Sequence, residues 1–232
     1  MPPVWFPATW NLDAFMEIIK KGNFLKAYGN TIISTVITVI GQVALCATAG
    51  YSFARVRFPG RNILFVLVLG VLMIPSQIFL MPQYLVVQKM GLLNTIRALI
   101  FAKFVQCFWD FLLRQSFLSL PVELEEAATL DGCNRFQIFY KIMLPLTKSS
   151  LVALAIMTMK FAWNDLMWPL IVNTSAKKMT LAPLLSSMVS EYGTNYPVQM
   201  AGAVMAVLPI VILFIIFQKQ FIEGVAHTGV KG

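Results

Sequence analysis

Residues 123–146, ELEEAATLDGCNRFQIFYKIMLPL, decide how the whole chain reads. Glu123, Glu125 and Glu126 open the stretch, Gly132 breaks it, and Pro145 stands near its end. Carboxylates suit the positive end of a helix dipole. Pro121, just upstream, fits a first helical turn, where its missing N–H costs nothing. Ala127 and Ala128 are slim, strong helix formers that let a partner surface come close, and Gly132 supplies the conformation that ends a helix. Asn134 is placed to cap a second short helix through about Lys141, which Pro145 then stops. The expected object is a pair of short surface helices joined by a bend, a piece that a soluble partner can grip.

What surrounds this polar insert is greasy. The chain has 232 residues, of which 58% are hydrophobic and only 12% charged, and its mean hydropathy is +0.75. Soluble domains are about a quarter charged, so the composition indicates a membrane protein. Five stretches, roughly 30–53, 63–80, 96–117, 149–171 and 200–217, are apolar and long enough to cross a bilayer as helices. The expected fold is all-α, a polytopic transmembrane helix bundle. Pro75 and Pro209 fall inside two of the stretches, as kinks that neighbouring helices accommodate. Gly202 and Ala206 put two small residues on one face of the fifth, where another helix approaches closely.

The net charge of +8 comes from scattered residues with no basic run interleaved with aromatics, which excludes a nucleic-acid surface. Cys46, Cys107 and Cys133 lie far apart, in neither zinc-site nor disulfide spacing, so no metal is expected. The run GVAHTGVK, residues 224–231, places two glycines like a phosphate-binding loop. Its lysine is displaced, no Ser or Thr follows, and no strand precedes it, so no nucleotide site is read there.

If residues 53–63 and 117–149 face the cytoplasm, that side carries nine basic residues: Arg55, Arg57, Arg61, Arg114, Arg135, Lys141, Lys148, Lys219 and Lys231. The other side carries eight: Lys20, Lys21, Lys26, Lys89, Arg97, Lys103, Lys177 and Lys178. The dense loop RVRFPGR favours its own side as cytoplasmic. This orientation divides the chain into an external segment 1–29, a membrane domain 30–217 with its cytoplasmic insert at 119–146, and a cytoplasmic tail 218–232. Residues 1–29 hold no signal sequence, so an upstream helix is expected to precede them.

The run Glu126-Ala127-Ala128, three residues, Gly132, nine residues, then Ile142-x-Leu144-Pro145 resembles the EAA loop of ABC importer permeases. YSFARVRFPGRNIL (51–64), IPSQIFLMPQYLVVQKMGLLNT (74–95), FLLRQSFLSLPVELEEAATLDG (111–132), WNDLMWPL (163–170) and EGVAHTGVKG (223–232) resemble the carbohydrate-uptake branch of that family. Members usually have six spans, one more than is read here. The resemblance implies a non-catalytic subunit, without cofactor, in a bacterial cytoplasmic membrane. Its implied partners are a second permease, two cytosolic ATPases, an extracytoplasmic solute-binding protein and the membrane lipid. It also implies that Glu126, Ala127, Ala128, Asp131 and Gly132 contact the ATPase, while Ile142, Leu144 and Pro145 fix how the loop joins the next span. The C-terminal tail is a second, softer contact candidate. A sugar or sugar derivative is the expected solute; a polyamine or phosphate permease shares the same loop. An ion-driven secondary transporter is the reading that dispenses with an ATPase. No Ser–His or metal-ligand constellation points to an enzyme.

Asp110 and Lys160 are charges inside apolar spans and need a partner or water. Their depths allow an intramembrane ion pair with each other; a role in the solute pathway, or bonds from Asp110 to Gln106 or Arg114, are the other readings. Trp163, Asn164, Asp165 and Trp168 cluster at the outer end of the fourth stretch. They read either as interfacial anchors, with Asp165 bonded to neighbouring backbone, or as an outer gate, a contact for the delivering protein, or a stacking surface for sugar on Trp163. His227, the lone histidine, reads as a surface residue.

Overall fold

A computed structural model describes residues 11–20, 23–104, 107–188 and 195–229, with side chains placed except at 107–111 and 220–229. Among the described residues every regular element is a helix, in agreement with the expected all-α fold. A short helix α1 (Asp13–Lys20) leads into α2 (Phe24–Arg55). Helix α2 packs on two later helices, α6 (Cys107–Leu118) and α10 (Lys148–Trp163), and α10 packs in turn on α13 (Tyr196–Gly229).

The burial pattern is that of a chain whose outside is apolar. The inward face of α2 buries Thr31, Ser34, Thr35, Thr38 and Gln42, whereas Ile32, Ile33, Val36, Ile37 and Ile40 point outward. Helix α13 turns Val207, Leu208, Val211, Ile212, Ile215 and Ile216 out in the same way. Polar side chains in a bilayer seek the bundle interior, where hydroxyls find backbone carbonyls; Thr31 Oγ1 donates to Ala27 O at 2.8 Å, for example.

Among the described residues two helices are long and apolar enough to cross a membrane unbroken, Phe24–Arg55 and Tyr196–Lys219, and two further bent pairs qualify if each counts as one span. The second expected stretch is not a kinked helix. Helix α3 (Arg61–Leu72) stops, and the chain resumes at Ser76 in a 3₁₀ turn and α4 (Leu80–Lys89), bent by 97°. Pro75 disfavours helical geometry in the residue before it and cannot donate to the helix, so the ladder ends there. The third stretch divides into α5 (Ile96–Phe101) and α6, and the fourth into α10 and α11 (Met167–Val172). Helix α13 runs unbroken past residue 217, the boundary expected for its tail.

Pro209 sits inside α13, where its ring removes the bond that would have gone to Met205. The Tyr28 hydroxyl donates to Met205 O at 3.2 Å, and Trp163 Nε1 donates to Ala206 O at 2.9 Å. Neighbouring helices thus satisfy the carbonyls around the proline. Gly202 lets other side chains pack close to α13, since a methyl there would meet Ile18 Cδ1 at 2.3 Å and Leu185 Cδ2 at 2.7 Å.

Candidate functional site

The acidic insert folds as two short helices. Helix α7 (Glu123–Leu130) starts two residues after Pro121, which therefore precedes the first turn instead of lying in it. It ends at Gly132, whose φ of 81° is left-handed. Cys133 N donates to Ala128 O at 2.9 Å and Gly132 N to Thr129 O at 3.0 Å, the paired bonds of a Schellman stop. Asn134 caps α8 (Arg135–Ile138) in a reciprocal box: Gln137 N donates to Asn134 Oδ1 at 2.9 Å, and Asn134 N to Gln137 Oε1 at 2.8 Å.

Pro145 does not stop this second helix. A π turn (Phe139–Met143) carries it into α9 (Leu144–Leu146), and only then does the axis swing by 76° into α10. The π turn's wider spacing, with Leu144 N donating to Phe139 O, makes room for a proline ring that an α-helix would reject.

One side of the insert is fixed to the bundle. Ala128, Ile138 and Met143 are buried in a cluster with Tyr51, Ala54, Leu113, Phe117 and Leu154, against which Ile142 and Leu144 lie half-buried. Helix α2 meets α6 closely here; a methyl on Gly50 would stand 2.9 Å from Leu113 Cβ. The opposite side is bare. Leu130 is 89% exposed, Phe136 73% and Tyr140 65%, beside exposed Glu126, Ala127, Asp131, Gly132 and Pro145.

Arg55, at the end of α2, ties the fixed side together. Its Nε and Nη2 donate to Phe117 O at 3.1 and 2.6 Å, and Nη2 also donates to Leu120 O. Arg55 Nε also stands 3.3 Å from Glu125 Oε1, an ion pair without hydrogen-bond alignment. Burial raises the Glu125 carboxyl above its ordinary range, opposed by the charges of Arg55 and Arg135. Arg114 lies over the Phe65 ring at 4.0 Å and donates to Phe53 O, so α3 joins the same end.

A second feature opens where the second stretch breaks. A cavity of about 970 Å³ lies between α2, the 73–80 bend, the end of α5 and the C-terminal part of α10. Lys103 and Asp165 form an ion pair in its wall at 2.9 Å, and Lys103 Nζ donates to Ala162 O. Asp165 Oδ1 accepts from Trp168 N at 3.4 Å, and Asn164 Nδ2 donates to Lys160 O. Lys160 lines the cavity, while the Asp110 side chain lies outside the described residues, and with it the anticipated pair between them.

Trp163 and Trp168 are both buried inside the bundle, not turned outward as anchors. Trp163 meets Tyr28 edge-on at 5.9 Å, and Trp168 Nε1 donates to Ala98 O at 2.8 Å. Trp168 still borders the cavity, whereas Trp163 is not among its lining residues.

The sequence reading missed Arg55, Lys103 and the exposed trio Leu130, Phe136 and Tyr140. The rule that singled out Asp110, a charge within an apolar stretch, applies equally to Lys103. Nothing local marks Arg55 as the residue that folds back onto the insert.

Comparison with known proteins agrees with this architecture. Residues 46–227 match the family described as "Binding-protein-dependent transport system inner membrane component". The chain is 41% identical over 230 residues to an arabinooligosaccharides transport system permease protein of Halalkalibacterium halodurans, covering 99% of this chain and 82% of the relative. It is 31% identical to a diacetylchitobiose uptake system permease protein of Streptomyces coelicolor, over 99% of this chain and 84% of the relative. The fold is similar, with a TM-score of 0.83 at 24% identity, to a chain in the crystal structure of a bacterial ABC transporter involved in the import of the acidic polysaccharide alginate; 95% of this chain and 84% of that chain are covered. The chain belongs to the family of inner-membrane permease components of binding-protein-dependent ABC transport systems.

Proposed function

We propose that this chain is a permease subunit of an ATP-driven importer for a sugar or sugar derivative, and that residues 119–146 are the handle through which a separate ATPase moves it. The single observation that carries the reading is the two-sided build of the handle. One side is locked to the span helices through Ala128, Ile138, Met143 and Arg55, and the other offers bare Leu130, Phe136 and Tyr140 among carboxylates. An exposed apolar patch of this kind marks a protein interface. Closure of an ATPase dimer beneath it levers α10 and α2 as rigid bodies, the motion by which alternating access is achieved.

On this reading the handle end of the bundle is cytoplasmic, and the cavity beside the broken helix is part of the solute path. A second permease, two ATPases and a solute-binding protein complete the assembly. The sugar assignment is supported by the named substrates of the relatives, together with the carbohydrate-type motifs along the chain.

Cysteines placed at Leu130 and Phe136 test the reading in intact cells. Crosslinks to a nucleotide-hydrolysing subunit, with loss of sugar uptake on crosslinking, are the expected result. Uptake that persists when the ATPase is deleted refutes it.

A further inference from the structure

The cavity at the helix break is chemically unfinished. Thr38 Oγ1, Gln42 Nε2 and Thr158 Oγ1 belong to residues in its lining that are at most 2% exposed, and none has a hydrogen-bond partner. An unmet buried polar atom is costly, so three together are a standing invitation to a hydroxylated guest or to water that such a guest displaces. These hydroxyl and amide groups also bring donors, and donors match the oxygen atoms of a sugar.

Its charge is unfinished as well. Two ammonium groups and one carboxylate line it: Lys103, Lys160 and Asp165. Lys103 already neutralises Asp165 at 2.9 Å, which removes the repulsion that a free carboxylate would offer an incoming anion. Among the described residues Lys160 has no ion-pair partner. A lysine on a spanning helix is costly unless it meets water or an anion.

We propose that this chain itself holds the solute in transit, and that the solute is a sugar bearing a carboxylate or phosphate. The anion meets Lys160; the sugar hydroxyls meet Thr38, Gln42 and Thr158. The proposal rests on the importer reading above and adds the chemical class of the cargo.

The assembled importer, with its second permease and ATPase in nanodiscs, is titrated calorimetrically with a galacturonate disaccharide, glucose 1-phosphate and the matching neutral galactose disaccharide. At least one acidic probe binds tenfold or more tighter than the neutral one, and the two acidic probes together tell carboxylate from phosphate. Lys160→Gln abolishes the preference and Lys160→Arg keeps it. Thr38→Val with Thr158→Val weakens all binding sugars at least threefold without changing their ratio, an effect that loss of charge does not reproduce. Neutral binding as tight as acidic, no binding of either acidic probe to the unmodified complex, or a preference that survives Lys160→Gln overturns the proposal. If the Gln variant does not assemble, the unmodified complex and Lys160→Arg still decide. A complex whose handle crosslinks to its ATPase but shows no acidic preference sinks this inference alone; a handle without that neighbour sinks the importer reading.

Discussion

Arg55 shows how much one side chain can hold. It satisfies the carbonyls of Phe117 and Leu120, which have left the helix ladder of α6, and it faces Glu125 at the start of α7. Replacing it with Gln removes the donor to Leu120 O, leaves Phe117 O only the 3.3 Å bond from Leu120 N, and takes the facing charge of Arg55 from a part-buried carboxylate, a loss of about 2–3 kcal/mol. The expected outcome is a lower melting temperature of the purified complex and less sugar taken up per ATP hydrolysed, with partial recovery in Arg55→Lys. Glu125 carries a pH dependence whose sign follows from its raised pKa. The folded state then holds the proton more tightly than the unfolded chain, so stability increases as pH falls through the window just above 4.5, the ordinary value, and decreases as pH rises through it. Glu125→Gln removes that dependence, which melting curves at pH 4.5–7 will show. Tyr28→Phe strands the Met205 carbonyl beside Pro209 and costs about 1–3 kcal/mol, read as a fall in melting temperature.

At the scale of elements, the shape of the 119–146 insert is set by where its two helices end. The left-handed φ at Gly132 is one that an alanine adopts only at a cost of about 1–2 kcal/mol. Gly132→Ala therefore re-aims α8 relative to α7, and is expected to cut transport several-fold while the membrane helices still assemble; uptake and detergent-resistant complex yield separate the two effects. Thr129→Ala, inside α7 and outside the expected ATPase contact, is the control that leaves the turn intact. The helix stop at Gly132 and the cap at Asn134 were legible in sequence, because both are local backbone requirements. The π turn was not: proline chemistry predicts a stop at Pro145, and only the packing of Met143 and Leu144 against the bundle makes a widened turn preferable to a broken one.

At the scale of the molecule, the protein is a bundle with polar residues inside and apolar residues out, broken beside a cavity. The breaks at 73–75 and 164–166 border the same cavity. Irregular backbone at membrane depth is tolerated only where it is buried in protein or lines a water-filled space, so these breaks and the cavity account for one another. Removing the Lys103–Asp165 pair at this wall is expected to be asymmetric. Asp165→Asn leaves a nearly buried ammonium without its anion and destabilises more than the double change with Lys103→Met, as unfolding of the purified complex would register.

The sequence by itself determined the all-α membrane class, the position of the polar insert, its glycine hinge and its cap, because hydropathy and backbone conformation are properties of neighbouring residues. It also placed charges in apolar stretches without saying which would meet. Only the tertiary structure paired Lys103 with Asp165, turned Trp163 and Trp168 inward, and set Arg55 against the insert. Such contacts join residues dozens of positions apart, and what selects them is the packing of whole helices.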